Sequence, residues 1–225
     1  MKAFFLDAAV TLTLTAAITT MAACVGPGAE AGTVTKGKIY ASEAAMDAPL
    51  YLYENNHAEE GGKTFSRSRY SDPQGKALVE EEVIYEAGKL KQHTYVQHQT
   101  EERGTIDVND GKVYYVFINA KGTKTGSDKW NDDMLLPDML GQRIADNWEL
   151  LNAGENLKVR FLALEVQDNF GFKIFKEGES TFQGKPVVDL AMKATGFFVA
   201  LAAPSFKFAV EKEAPHRLLK MDGRL

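Results

Sequence analysis

One cysteine in 225 residues excludes an internal disulfide, so no covalent staple supports this fold. Histidine is nearly as scarce, with four at His57, His93, His98 and His216. His93 and His98 are an odd number of residues apart, so on one strand they point to opposite faces. No spacing offers three converging zinc ligands, and no metal site is predicted. A G-x-S-x-G elbow is missing, and no nucleophile–base pair can be assembled. The stretch GESTFQGKP at residues 178–186 has phosphate-loop glycines one residue too far apart, with Pro186 where Ser or Thr should meet magnesium. It reads as a hairpin turn. Glu165 and Asp168 have the chemistry of a glycosidase carboxylate pair, but a loop between two strands explains them better. Neither an enzyme nor a cofactor is predicted.

Positive charge is outnumbered, 26 Lys and Arg against 31 Asp and Glu, and the net charge of −5 argues against nucleic acid and against electrostatic attachment to anionic lipid. Long hydrophobic runs are missing as well. Residues 4–21 are mostly apolar or Thr, but TLTLTAAITTMAAC falls short of the ~20 strongly apolar residues of a membrane span. With Lys2 before it and Ala22-Ala23 after it, the segment fits an export signal over residues 1–23 despite Asp7. Export to the cell envelope or periplasm is the expectation. Met21-Ala22-Ala23-Cys24 resembles the bacterial lipobox, with Met21 where that pattern usually carries Leu. The resemblance implies lipid attachment at Cys24 and a membrane anchor, with plain cleavage after Ala22 or Ala23 as the alternative. Residues 24–38, rich in Gly, Ala and Thr, read as a flexible tether.

What is abundant is β-forming sequence. Thirteen Phe and eight Tyr fall mainly in short segments of alternating polarity separated by turn residues. Ala87-Gly88, Asn109-Asp110-Gly111 and Gln183-Gly184 mark hairpins. About ten to twelve antiparallel strands are expected over residues 39–225, as one β-rich domain. Residues 113–118 (VYYVFI) are apolar on both pleat faces and read as a central strand covered on both sides. Residues 121–131 read as an exposed loop. Glu80-Glu81-Glu82 reads as an edge or solvent face. His93, Tyr95 and Gln97 share a face that a polar ligand could use, although a solvated face is the plainer reading. Residues 195–203 (TGFFVALAA) break the alternation, as a short helix or a strand crossing the core. A last strand at residues 217–221 runs into Asp222-Gly223, as an edge strand or a shortened chain would.

One helix interrupts the strands, at residues 137–153. Leu136, Leu140, Ile144, Trp148 and Leu151 form its apolar stripe, Pro137 suits its first turn and Gly154 its stop. Trp148, Phe161, Phe172, Phe197, Phe198 and Leu201 could line an apolar cavity between helix and sheet, or fill the core.

Asn147-Trp148-Glu149-Leu150-Leu151, Ala153-Gly154-Glu155, Arg160-Phe161, Arg217-Leu218-Leu219-Lys220 and Gly223 carry a resemblance from Leu50 onward. They resemble uncharacterised bacterial envelope lipoproteins, similar in architecture to lipoprotein-carrier domains (localisation of lipoproteins). The resemblance implies a curved antiparallel half-barrel wrapped on one main helix, and binding of an acyl chain or lipid without catalysis. A structural or interaction lipoprotein with a filled core is the competing expectation, its function carried by an edge or loop near residues 122–132.

Overall fold

Alternating strand segments and glycine-bearing turns carry this chain back and forth through one continuous sheet. The structure, a computed structural model, describes residues 9–15, 32–41, 47–196 and 205–224. Among the described residues the strands begin with β1 (Ala9–Thr15), β2 (Thr33–Tyr40), β3 (Tyr51–Glu60), β4 (Lys63–Ser71) and β5 (Ala77–Glu86). They continue with β6 (Lys89–Gln97), β7 (Glu102–Asn109), β8 (Lys112–Asn119) and β9 (Gly122–Lys129). A two-residue strand β10 (Met134–Leu135) leads through a 3₁₀ turn, Pro137–Met139, into α1 (Leu140–Asp146) and α2 (Trp148–Asn152). The chain closes with β11 (Leu157–Ala163), β12 (Asp168–Phe182), β13 (Lys185–Ala194), β14 (Phe206–Glu211) and β15 (Leu218–Arg224).

The fifteen strands run β10-β11-β12-β13-β14-β15-β1-β2-β3-β4-β5-β6-β7-β8-β9. Their pairings are antiparallel except β10 with β11. The predicted hairpins form where Ala87-Gly88, Asp110-Gly111 and Gln183-Gly184 place two successive residues at positive φ, the geometry that matches strand twist. The fold is therefore mainly β, an antiparallel sheet curved into a half-barrel.

Side chains draw the two ends of this sheet together. Asn169 on β12 donates to Asp128 Oδ2 on β9 at 2.7 Å and accepts from Arg160 Nε on β11 at 2.5 Å. Gly126 on β9 makes the approach possible, because a Cβ there would stand 2.7 Å from the Cβ of Gln167. No strand ladder joins β9 to β12, so the closure is a side-chain seam.

Residues 134–152 lie inside, between two walls. One apolar cluster joins Leu140, Ile144, Trp148 and Leu151 to Val159, Ile174, Leu190, Phe208 and their neighbours on β11–β14. The other joins Met134 and Leu136 to Val83, Ile106, Val113, Tyr115 and Phe117 on β5–β8. Met139 touches both clusters. Trp148 also stacks on His216, with ring centroids 3.9 Å apart and planes 11° from parallel.

Several expectations change. The single main helix is instead a 3₁₀ turn and two short helices, although its stripe is buried as expected. Asn147 makes the break: its backbone leaves the helical region, and its side chain donates to the Arg143 carbonyl at 2.8 Å, a local bond that competes with the helix. Residues 121–131 are not a loop, since β9 occupies most of them and pairs with β8. β8 is not covered on both faces: Val113, Tyr115 and Phe117 are buried, while Tyr114 is 41% exposed. The acidic run belongs to β5, which is paired on both sides, with Glu80 and Glu82 outside and Glu81 inside. Thr33–Tyr40, overlapping the stretch read as a tether, is strand β2. β15 is no edge, since it pairs with both β14 and β1. β1 itself falls within the segment read as an export signal. Cys24 and residues 197–204 lie outside the described residues.

Two stability measurements test this arrangement. Trp148→Ala is expected to cost about 3–5 kcal/mol in denaturant unfolding, as truncation of a packed core ring does. Gly126→Ala is expected to lower the midpoint by forcing the seam apart. Adding Gln167→Gly should recover most of that loss, because it removes the opposing Cβ and relieves a residue at φ 54°.

Candidate functional site

The inner face of β3–β6 is polar, unlike that of β11–β14. Pairing places Asn55 beside Ser68, Ser68 beside Glu81, and Glu81 beside Tyr95. One step along, Tyr53 faces Tyr70, with ring centroids 5.0 Å apart. Ser66, Val83 and His93 form a third row. Asn55, Ser66, Ser68 and His93 are buried, whereas Tyr53, Tyr70, Glu81, Tyr85 and Tyr95 are half-buried. These partly accessible inward residues, with the buried four beneath them, form the polar surface here called the crevice.

Asp138 reaches this wall from the 3₁₀ turn. Tyr85 Oη donates to Asp138 Oδ2 at 3.0 Å, and Asn55 Nδ2 lies 3.4 Å from Oδ1. Asn55 Nδ2 also meets Ser66 Oγ and Ser68 Oγ, each at 2.8 Å. His93 Nε2 stands 3.3 Å from Glu81 Oε1. The set is incompletely satisfied: Asn55 Oδ1 and His93 Nδ1 are buried with no partner, as is Tyr115 Oη within the apolar cluster of β5–β8. Native interiors leave few such atoms, and each asks for an explanation.

The phenols are held neutral. Burial pushes the Tyr53 hydroxyl up to about 12, and the carboxylates of Asp138 and Glu81 add to the rise against the Ser68 hydrogen bond. Tyr70 is raised well above its ordinary value by burial, then by Glu81. Burial and Asp138 raise Tyr85, and burial followed by Glu165, Glu102 and Glu81 raises Tyr95. Along β4–β6 the basic residues face outward: Arg67 lies 2.6 Å from Glu82, and Lys91 lies 3.5 Å from Glu86.

A separate groove of about 450 Å³ runs mainly along the outer side of β2–β4, past Lys36, Lys38, Glu54 and Arg69. Lys36 is paired with Glu54 at 3.1 Å, and Arg69 donates to the Gly75 carbonyl at 3.2 Å. Among the described residues, no three His, Cys, Asp or Glu come together to hold a metal ion. No helix there is long and apolar enough to cross a membrane.

The sequence-predicted apolar site is brought together as far as it is described. Trp148 and Phe172 belong to the cluster on β11–β14, and Phe161 packs against it. Phe161 and Phe172 meet edge to face at 5.5 Å. Phe197, Phe198 and Leu201 lie outside the described residues. The polar wall was visible in the sequence only through His93, Tyr95 and Gln97. A further signal was there: Ser66 and Ser68 alternate with Arg67 and Arg69, so neither face of β4 has an apolar core to meet.

The geometry defines a β-rich half-barrel with a plugged apolar half and a polar crevice. No family model matches this sequence, and no curated protein does. Among solved structures, the chain is similar to a β-barrel-like protein of a domain of unknown function (DUF1849) from Brucella abortus. Identity is 11% and the TM-score 0.41, over 96% of this chain and 93% of that one.

The crevice makes a spectroscopic prediction. The ordinary tyrosine pKa is about 10, so a phenol raised in the folded state contributes its full stability below that pH. The contribution is lost as pH climbs toward the folded value. In an alkaline absorbance titration, Tyr53→Phe is expected to remove one tyrosine from the rise near pH 12 and leave the rise near pH 10 unchanged.

Proposed function

We propose that this is a non-catalytic binding protein that holds a small ligand in the crevice between β3–β6 and Asp138. The observation that carries the reading is the pair of buried, unpartnered atoms in the crevice floor, Asn55 Oδ1 and His93 Nδ1. Burying such groups without partners costs about 1–3 kcal/mol each, and a bound molecule would offset it. An acyl chain between helix and sheet fits less well, because Trp148, Phe161 and Phe172 already pack on one another and on their neighbours. Export by residues 1–23 and anchoring through lipidated Cys24 are part of the same proposal; cleavage there would remove β1 and leave β15 and β2 as the edges it now joins. A second reading, an interaction protein of the envelope, is favoured by β9, an almost wholly exposed strand at the end of the sheet.

Native mass spectrometry of protein purified from its own cells tests the first reading. A small polar molecule is expected to copurify and to be lost in Asn55→Leu at an unchanged melting temperature. A ligand-free protein would favour the second reading. For the anchor, wild type is expected in the detergent phase on partitioning, and Cys24→Ser in the aqueous phase; both in the aqueous phase would leave plain secretion.

A further inference from the structure

We propose that the ligand of this crevice is a primary amine in its protonated form; the inference rests on the binding reading above and names its chemical class. Two carboxylates, Glu81 and Asp138, face a wall whose inward positions on β3–β6 carry no Lys or Arg. The groups that contact them are donors without a fixed charge: the Tyr85 hydroxyl and the Asn55 amide at Asp138, and His93 at Glu81. Negative charge in a half-buried site is therefore short of a cation.

The unfilled hydrogen-bonding capacity has the matching sign. Asn55 Oδ1 is an acceptor. In the neutral Nε2–H tautomer of His93, which donates to Glu81, the orphaned Nδ1 is an acceptor as well. What the crevice lacks is a donor, and a positively charged one. An ammonium group has three N–H donors and one charge. Tyr53 and Tyr70, neutral and in ring contact, add aromatic faces and hydroxyl oxygens that suit a cation. A polyol would supply donors but leave the two carboxylates uncompensated, and an anion would be repelled by them.

Isothermal titration of the full chain with putrescine, and with 1,4-butanediol as its uncharged counterpart, tests the class. Putrescine is expected to bind and butanediol to bind at least tenfold more weakly. Glu81→Gln and Asp138→Asn keep side-chain shape, and each should weaken putrescine about tenfold or more through loss of a charge-assisted hydrogen bond. Glu82→Gln, on the outer face, should change nothing. Thermal melts of each variant separate lost binding from lost folding. Equal binding of the two probes, abolished by Asn55→Leu, would keep the crevice as a binding site and overturn the amine. Putrescine binding unaffected by Glu81→Gln and Asp138→Asn would overturn it too. Binding of neither probe, with an unknown polar guest still seen by native mass spectrometry, would sink the amine alone. Binding of neither, with no guest, would sink both.

Discussion

Residues 134–152 sit between two walls of a curled sheet, and both walls depend on what that segment buries. A sheet of this length has a whole inner face to remove from water, and among the described residues one short segment does it. Leu140, Ile144, Trp148 and Leu151 serve the β11–β14 wall, while Met134 and Leu136 serve β5–β8. At about 1.5–3 kcal/mol for each large apolar side chain fully buried, a handful of contacts is comparable with the net stability of a whole domain. The break at Asn147 is compatible with this role, because Trp148 and Leu151 beyond it remain buried. Trp148 adds a second attachment by stacking on His216, just ahead of β15.

Closure has a different character from the rest of the sheet. Backbone ladders join neighbouring strands, but β9 and β12 are joined through the Arg160–Asn169–Asp128 chain of side chains. A similar device secures the other end of the apolar wall. Arg217 and Lys185 bracket Glu211 at 2.7–3.1 Å, and the Arg217 hydrogen bond leads in holding that carboxyl down at about 2. Groups of this kind are strong when their geometry is fixed, and they can be exchanged without unravelling a ladder.

The interior is divided by chemistry. Facing the helices it is apolar and packed; facing Asp138 it is polar and incompletely satisfied. The division coincides with the plug, whose helical stripe turns to β11–β14 while the acidic residue of its first turn enters the β3–β6 wall. One segment thus seals one half of the sheet and equips the other. A site made in this way draws its rigidity from the core beside it, since Asp138 stands next to Met139, which touches both apolar clusters.

Local chemistry was enough to read most strands from residue 51 onward, most of their turns and the apolar stripe of the helix, but not β1, β2 or β9. Asp110-Gly111 and Gln183-Gly184 supply the positive φ of two-residue hairpin turns, and Leu140, Ile144, Trp148 and Leu151 must be covered by something. Where polarity misled, a neighbour had decided the matter. Gly122–Lys129 has no apolar face and reads as a loop, yet the free edge of β8 makes it a strand. Tyr114 and Val116 make β8 look doubly covered, but the sheet supplies only one inner side. The crevice was nearly invisible for the same reason. Tyr53, Asn55, Ser68 and Glu81 stand on three different strands and Asp138 on a fourth segment, each unremarkable in its own stretch. The amino-acid order settled which residues alternate and where the chain turns. Register, curl and the placement of the plug settled which polar faces were enclosed, because enclosure depends on what lies opposite and no local pattern encodes that.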